Sequence, residues 1–136
     1  MRTRQVRTPK LKYEYELYIS KEYDSIKKQD YILFEFRTVK VFRNFIYKIN
    51  VQKNIELNKR LLEFNVEGLS APVIDFSKSG YANFEYKFYD FTYNDYQIKL
   101  LRNGKNPIFY TFKIEIDKIS IISKPKKSFL ELIIKE

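Results

Sequence analysis

Alternation of apolar with polar residues, repeated along most of the chain, is the feature that most limits how this sequence can fold. The clearest case is the segment 108–116, in which every second residue is apolar: Ile108, Tyr110, Phe112, Ile114 and Ile116. Successive side chains of a β-strand point to opposite faces, so a period of two predicts strands that bury one face. Turn-forming residues separate the alternating segments, as expected for many short strands.

The predicted strands cover residues 13–20, 31–37, 45–51, 61–66, 84–93, 96–101, 108–116, 119–122 and 129–134. Residues 53–66 also fit a short helix capped by Asn54, and we favour a turn followed by the strand at 61–66. The alternation slips near Asp90, which predicts a bulge or corner there. We expect the last two strands to pair with each other. The pattern as a whole predicts an all-β fold, an antiparallel β-sandwich of about eight strands with little or no helix.

One hairpin is marked by its turn residues. Asn103-Gly104 lies between two alternating segments, and this dipeptide suits a type I′ turn, in which both central residues need positive φ. With the strands Tyr96-Gln97-Ile98-Lys99-Leu100 and Phe112-Lys113-Ile114-Glu115-Ile116 on either side, the segment resembles the last hairpin of immunoglobulin-like and fibronectin-type sandwiches. In those families a tyrosine opens the penultimate strand, and Tyr93 or Tyr96 would take that place. The resemblance implies an Ig-like architecture and no particular activity.

The first twelve residues differ in composition from the rest. They contain no acidic residue and five basic ones: Arg2, Arg4, Arg7, Lys10 and Lys12. They therefore supply five of the chain's nine net positive charges. We interpret residues 1–12 as a basic arm and residues 13–136 as a single β-sandwich domain. Arginine's forked guanidinium suits phosphate or carboxylate groups, so the arm is a candidate partner-binding segment.

A second basic patch is the turn before the last strand. Its lysines are Lys124, Lys126 and Lys127. If this turn and the arm lie on the same side of the domain, they make one electropositive surface that favours an acidic partner.

The composition argues against most enzyme chemistry. The chain has no cysteine and no histidine, which removes thiolate nucleophiles, zinc–thiolate sites and the commonest general base. The carboxylates form no recognisable catalytic pair; those considered are Glu14, Glu16, Asp75, Asp90 and Asp95. We therefore expect a protein that is not an enzyme and that has no cofactor, metal site or small-molecule substrate.

No targeting signal is evident in the sequence. Charged residues interrupt the apolar ones from Leu11 to Ile19, so no signal-peptide core follows the basic start. No apolar run reaches the length of about 18 residues that a membrane span requires. We expect a soluble protein located in the cytoplasm or within an assembled particle, without a secretion signal.

Two functional hypotheses follow. The favoured one is a structural or interaction subunit of a larger assembly, such as a virion, whose basic arm binds a neighbouring subunit or an acidic partner. The alternative is a nucleic-acid-binding β-barrel or sandwich that stacks bases on exposed tyrosines. The candidate tyrosines are Tyr18, Tyr31, Tyr86, Tyr89, Tyr93 and Tyr96.

Overall fold

The computed structural model describes residues 14–42, 48–70 and 80–135. They form nine strands and one 3-10 turn: β1 (Tyr15–Asp24), β2 (Gln29–Phe42), β3 (Lys48–Glu56), the turn Leu57–Lys59, β4 (Leu61–Ser70), β5 (Gly80–Phe88), β6 (Asp95–Arg102), β7 (Lys105–Ile114), β8 (Ile119–Ser123) and β9 (Leu130–Ile134). No α-helix occurs in these three ranges. The predicted all-β class with little helix is therefore confirmed, and the favoured turn before β4 is present. The basic arm, Tyr13, the beginning of the predicted strand 45–51 and the segment 71–79 lie outside the described residues.

All nine strands belong to one sheet in the order β8-β7-β6-β4-β3-β5-β2-β1-β9, which curves into a nearly closed, barrel-like form. Most neighbouring strands are antiparallel, but β1 with β9 and β4 with β6 are parallel. Strands β3 and β5 meet through a single parallel pair, Lys48 with Asn83. The sheet is therefore mixed, because strands far apart in sequence align in directions that local alternation does not encode.

The pairing expected between the last two strands is wrong. Strand β8 pairs antiparallel with β7, and β9 pairs in parallel with β1, from Tyr15 opposite Leu130 to Ile19 opposite Ile134. Strands β8 and β9 are consequently the two ends of the sheet. Residues 124–129 connect them over a distance in sequence that suits a hairpin, but the partner that β9 takes lies more than a hundred residues earlier in the chain. Turn signals cannot reveal such a long-range pairing.

One hydrophobic core fills the inside of the sheet, and every strand contributes to it. Alternate residues of most strands point inward, as the sequence pattern predicts; Leu17, Phe34 and Phe112, for example, have no exposed surface. The prediction is wrong at Ile116, which lies beyond the end of β7 and is 74% exposed. Among the described rings, Phe34 contacts four others, with the centroids of Phe64 and Phe112 at 5.6 and 6.0 Å. Edge and tilted contacts of this kind stabilise beyond the burial of ring area alone.

Two local features of the β6–β7 region follow the sequence analysis. Asn103 and Gly104 have φ of 52° and 72°, which makes the predicted turn with positive φ between β6 and β7. Residues 89–94, where the alternation slips, lie between β5 and β6. There the backbone N–H of Thr92 donates to the Tyr96 hydroxyl at 2.8 Å. Tyr96 is buried and makes this contact, whereas Tyr93 is half exposed.

Candidate functional site

The two ends of the sheet face each other across a gap, which we call the seam: the space between β8 (Ile119–Ser123) and β9 (Leu130–Ile134). Among the described strands, β8 pairs only with β7, and β9 pairs only with β1. Each therefore has one edge without a strand partner. Unpaired strand edges present rows of N–H and C=O groups that can accept another strand, and natural proteins usually cover or protect them.

At one end of the seam, a hydrogen-bond chain joins β7 to the start of β9. The buried Tyr110 hydroxyl donates to Ser128 Oγ at 2.9 Å, and Ser128 Oγ donates to the Leu130 carbonyl at 2.6 Å. The backbone N–H of Leu130 in turn donates to Ser128 Oγ at 3.2 Å. At the other end, Lys21 Nζ donates to the Ile116 carbonyl at 3.0 Å. These hydrogen bonds join the two sides of the seam at both of its ends. The edges of β8 and β9 between them have no strand partner among the described residues.

A cavity opens at each end of the seam. The larger one, of about 510 Å³, lies where β8 begins and β9 ends, and its described lining is Lys21, Asp117, Lys118, Ile119, Ile134 and Lys135. The smaller one, of about 290 Å³, lies beside the 124–129 connection, and its described lining is Arg102, Asn106, Ile108, Lys127, Ser128 and Phe129. Both combine an apolar wall with cationic side chains. Arg102 also pairs with Glu14, and Lys118 Nζ lies 3.7 Å from Glu115.

Strand β8 exposes an apolar side chain on each of its faces. Ile121 is 37% exposed and Ile122 is 52% exposed, and successive residues of a strand point to opposite faces. Lys118 and Lys124 flank this short strand. An edge strand with exposed isoleucines and lysines at both ends is a surface suited to binding a protein segment.

Of the predicted basic residues, the structure describes only those of the turn between β8 and β9. Lys124, Lys126 and Lys127 are exposed in the connection between β8 and β9, and Lys127 lines the smaller cavity. The residues of the arm, which are Arg2, Arg4, Arg7, Lys10 and Lys12, lie outside the described residues. Whether arm and turn form one surface therefore stays a prediction.

Sequence reasoning missed three lysines at the far end of the seam, namely Lys21, Lys118 and Lys135. They come from β1, from the turn before β8 and from the end of β9, so no local motif contains them. The tertiary pairing of β9 with β1 brings them together. The only sequence signal for these lysines is that each of them directly adjoins a predicted strand, namely 13–20, 119–122 or 129–134.

The tyrosines proposed for base stacking separate into two sets. Tyr96 is buried, and Tyr86 packs against the core with its ring centroid 5.9 Å from that of Phe64. The other four lie outside the core: Tyr18, Tyr31, Tyr89 and Tyr93. Tyr96 is buried, and the partly buried Tyr86 faces the core with Lys53 Nζ 4.5 Å from its ring centroid, so neither is part of an exposed platform.

Cations of the protein itself cover the rings on the outer face. Arg37 Cζ lies 4.4 Å and Lys135 Nζ 4.9 Å from the ring centroid of Tyr18. Lys27 Nζ lies 4.0 Å from the centroid of Tyr89, whose ring also contacts Tyr31 at 5.2 Å. A base that stacked on these rings would have to displace these cation–π contacts.

Asp24 organises the turn between β1 and β2. Its Oδ1 accepts from the backbone N–H groups of Ile26 and Lys27, and its Oδ2 accepts from the Tyr89 hydroxyl at 2.8 Å. The Lys27 N–H, followed by the Tyr89 hydroxyl, holds the pKa of Asp24 below its ordinary value. Hydrogen bonds to the charged form of a carboxyl group favour that form.

We predict that Tyr89→Phe raises the pKa of Asp24. A carboxyl whose pKa is lower in the folded state stabilises the fold above its unfolded pKa, and this contribution is lost as pH falls through the folded pKa. The variant should therefore be less stable than the wild type near neutral pH, and the difference should vanish in acid. Carboxyl ¹³C NMR titration of Asp24 measures the shift. Tyr93→Phe is the matched control, and an unchanged Asp24 titration in Tyr89→Phe would contradict the prediction.

Two further searches of the described residues are negative. Within the ranges 14–42, 48–70 and 80–135, no group of three or more Asp, Glu, His or Cys side chains is placed to hold a metal ion. No helix in that part of the chain is long and apolar enough to cross a membrane.

Comparison with known proteins adds no relative. No family model matches the chain, no curated protein matches it, and no solved structure matches it. The fold and the seam therefore define the class: an all-β, barrel-like domain whose sheet ends in two strands flanked by lysines, each with one edge that has no partner among the described strands.

Proposed function

We propose that this chain is a non-enzymatic interaction subunit of a larger assembly and that it binds an acidic protein partner. The observation that carries the proposal is the seam, with two unpaired strand edges, exposed isoleucines and cationic residues at both ends. Unpaired edges and exposed apolar side chains provide binding energy, and the surrounding lysines favour acidic partners. The basic arm of residues 1–12 would add a second contact to a neighbouring subunit or to the same partner.

The charge of the residues around the seam also supports an acidic partner. The connection between β8 and β9 carries Lys124, Lys126 and Lys127 and no acidic residue. At the opposite end, Asp117 is the only carboxylate among the described side chains that line the larger cavity, beside three lysines. A surface of this sign attracts acidic segments and raises their association rate at low ionic strength.

Nucleic acid is the alternative ligand for such a surface, because lysines bind phosphate as well as carboxylate. All four outer tyrosines already contact a cation or another ring, and the other two candidates face the core. These contacts favour a protein partner. The experiment below separates the two ligands.

The test compares two fluorescein-labelled probes of equal charge, a peptide with two adjacent valines between glutamates and a single-stranded DNA oligonucleotide. Fluorescence anisotropy at a fixed, moderate salt concentration measures the affinity of the full chain for each. We expect tighter binding of the peptide. The triple variant Lys124→Glu, Lys126→Glu, Lys127→Glu should bind the peptide about tenfold or more weakly, because each exposed ion pair contributes up to about 1 kcal/mol.

The control has the same change of charge on the opposite side of the barrel: Lys53→Glu, Lys59→Glu, Lys87→Glu. These lysines are exposed and lie on β3, on the 3-10 turn and on β5, in the middle of the strand order. An equal loss in both variants, or tighter binding of the oligonucleotide than of the peptide, would overturn the proposal.

A further inference from the structure

The free edge of β9 can be located from its hydrogen bonds. The backbone N–H of Lys135 donates to the Ile19 carbonyl of β1 at 2.9 Å. Because alternate residues of a strand direct their peptide groups to opposite edges, Leu132 and Ile134 direct theirs into the seam. The carbonyl of Leu130 is already occupied by Ser128. The unpaired peptide groups are therefore confined to the middle and the far end of β9.

Strand β8 lies on the other side of the seam. The edge of β8 that faces the seam has no strand partner among the described residues, and Ile121 and Ile122 are exposed on the two faces of the strand. An extended segment paired with this edge would cover both isoleucines through two successive side chains, because successive residues of a strand point to opposite faces. Strand addition of this kind draws affinity from main-chain hydrogen bonds and specificity from side chains.

The charges of the edge argue against a second copy of this chain as the occupant. If two β8 strands paired antiparallel over residues 119–123, Lys118 of one copy would lie opposite Lys124 of the other. Like charges directly opposite each other destabilise a strand pair, and edge lysines are a common device against self-pairing. The arm of residues 1–12 is equally disfavoured, because it carries only positive charges.

We propose that the seam receives an extended acidic segment of a partner protein, which pairs as a strand with the free edge of β8. The segment has apolar residues at positions that cover Ile121 and Ile122, and carboxylates that reach Lys118 and Lys124. This inference rests on the proposed function, since it specifies how the acidic partner binds.

N-methylation of the peptide separates strand addition from simple charge attraction. The probe is the glutamate–valine peptide, compared with the same peptide carrying N-methyl groups on alternate backbone amides, which keeps the charge but removes the donors. We expect the methylated peptide to bind about tenfold or more weakly, because each lost hydrogen bond contributes about 1 kcal/mol. Hydrogen exchange should show protection of amides in β8 when the unmethylated peptide binds.

A variant of the protein provides a second test. Ile122→Asp places a carboxylate on the exposed edge and should weaken binding of the unmethylated peptide. The control Leu57→Asp changes an isoleucine-sized residue of similar exposure, 48% against 52%, on the opposite side of the barrel. Circular dichroism and unfolding of both variants exclude a folding defect as the cause.

The outcomes separate the two proposals. Equal affinity for the methylated and unmethylated peptides, with the lysine variant still impaired, would overturn strand addition and leave the acidic-partner proposal standing. Protection confined to the outer face around Tyr31 and Tyr89 would also overturn strand addition. Failure of both peptides to bind, or preferential binding of the oligonucleotide, would overturn both proposals.

Discussion

Replacing Phe34 with alanine is expected to lower the free energy of unfolding by about 3–5 kcal/mol, which is the usual cost of deleting a large aromatic side chain from a packed core. Phe34 is fully buried in β2, and its ring contacts Phe64, Tyr86, Phe88 and Phe112. The loss combines the transfer of the ring's apolar surface with a cavity that four aromatic neighbours cannot fill. Urea unfolding measures it as a lower midpoint with an unchanged dependence on denaturant.

The matched control is Phe109→Ala. Phe109 lies on β7 with its side chain on the outer face, 42% exposed. The same substitution there should change the free energy of unfolding by no more than about 1 kcal/mol, because little burial is lost. Similar losses at the two positions would contradict the inward orientation of Phe34.

Removing the Arg37 guanidinium is expected to lower the free energy of unfolding by about 1–3 kcal/mol, because the nearly buried carboxylate of Glu35 loses its bond to that group. Arg37 Nη2 donates to Glu35 Oε1 at 2.7 Å, and the two side chains are 22% and 8% exposed. Both lie on the outer face of β2, where Arg37 also covers the ring of Tyr18. We choose Arg37→Met, which keeps most of the side-chain length, and measure stability by urea unfolding.

Two further variants test the cause. In Glu35→Leu/Arg37→Met no charge is left behind, so the double variant should be more stable than Arg37→Met alone. Lys59→Met removes an exposed ion pair with Glu56, at 3.4 Å, and should change stability by no more than about 0.5 kcal/mol. A double variant as unstable as Arg37→Met would show that the lost packing on Tyr18, rather than the unpaired carboxylate, explains the effect.

Much of the strand structure could be predicted because it depends on local pattern. Phe112 and Ile114 alternate with polar residues and are buried in β7 as expected, and Asn103-Gly104 forms its turn with positive φ. The hydroxyl of Tyr96 bonds to the backbone of Thr92, only four residues away. These features depend on residues within a few positions of one another, where steric preference and the two-residue period are decisive.

The partners of the strands could not be predicted in the same way. Strand β9 was expected to pair with β8, its neighbour in sequence, and instead pairs in parallel with β1. The Tyr110–Ser128–Leu130 hydrogen bonds that accompany this arrangement join residues that no motif links. The apolar face of β9 suits either partner, so the choice depends on packing in the complete barrel rather than on the strand itself.

The candidate site likewise contains some residues that the sequence could indicate and others that only the tertiary structure brings together. The basic turn with Lys124, Lys126 and Lys127 was recognised because its charges are adjacent in sequence. Lys21 and Lys135 were not recognised, because they come from opposite ends of the chain and meet only at the end of the seam. The tyrosines show the same dependence on tertiary structure: Tyr86 packs on Phe64, and Tyr89 lies under Lys27, contacts between residues far apart in sequence.

The sequence by itself determined that this protein is all-β, where most of its strands lie and which residues of most described strands face inward, because a period of two and the turn residues act over short distances. Only the tertiary structure decided that the sheet is mixed and nearly closed, and that β8 and β9 are left as its unpaired ends. Closing a sheet brings together segments from both ends of the chain, and their register and direction follow from the packing of the whole core.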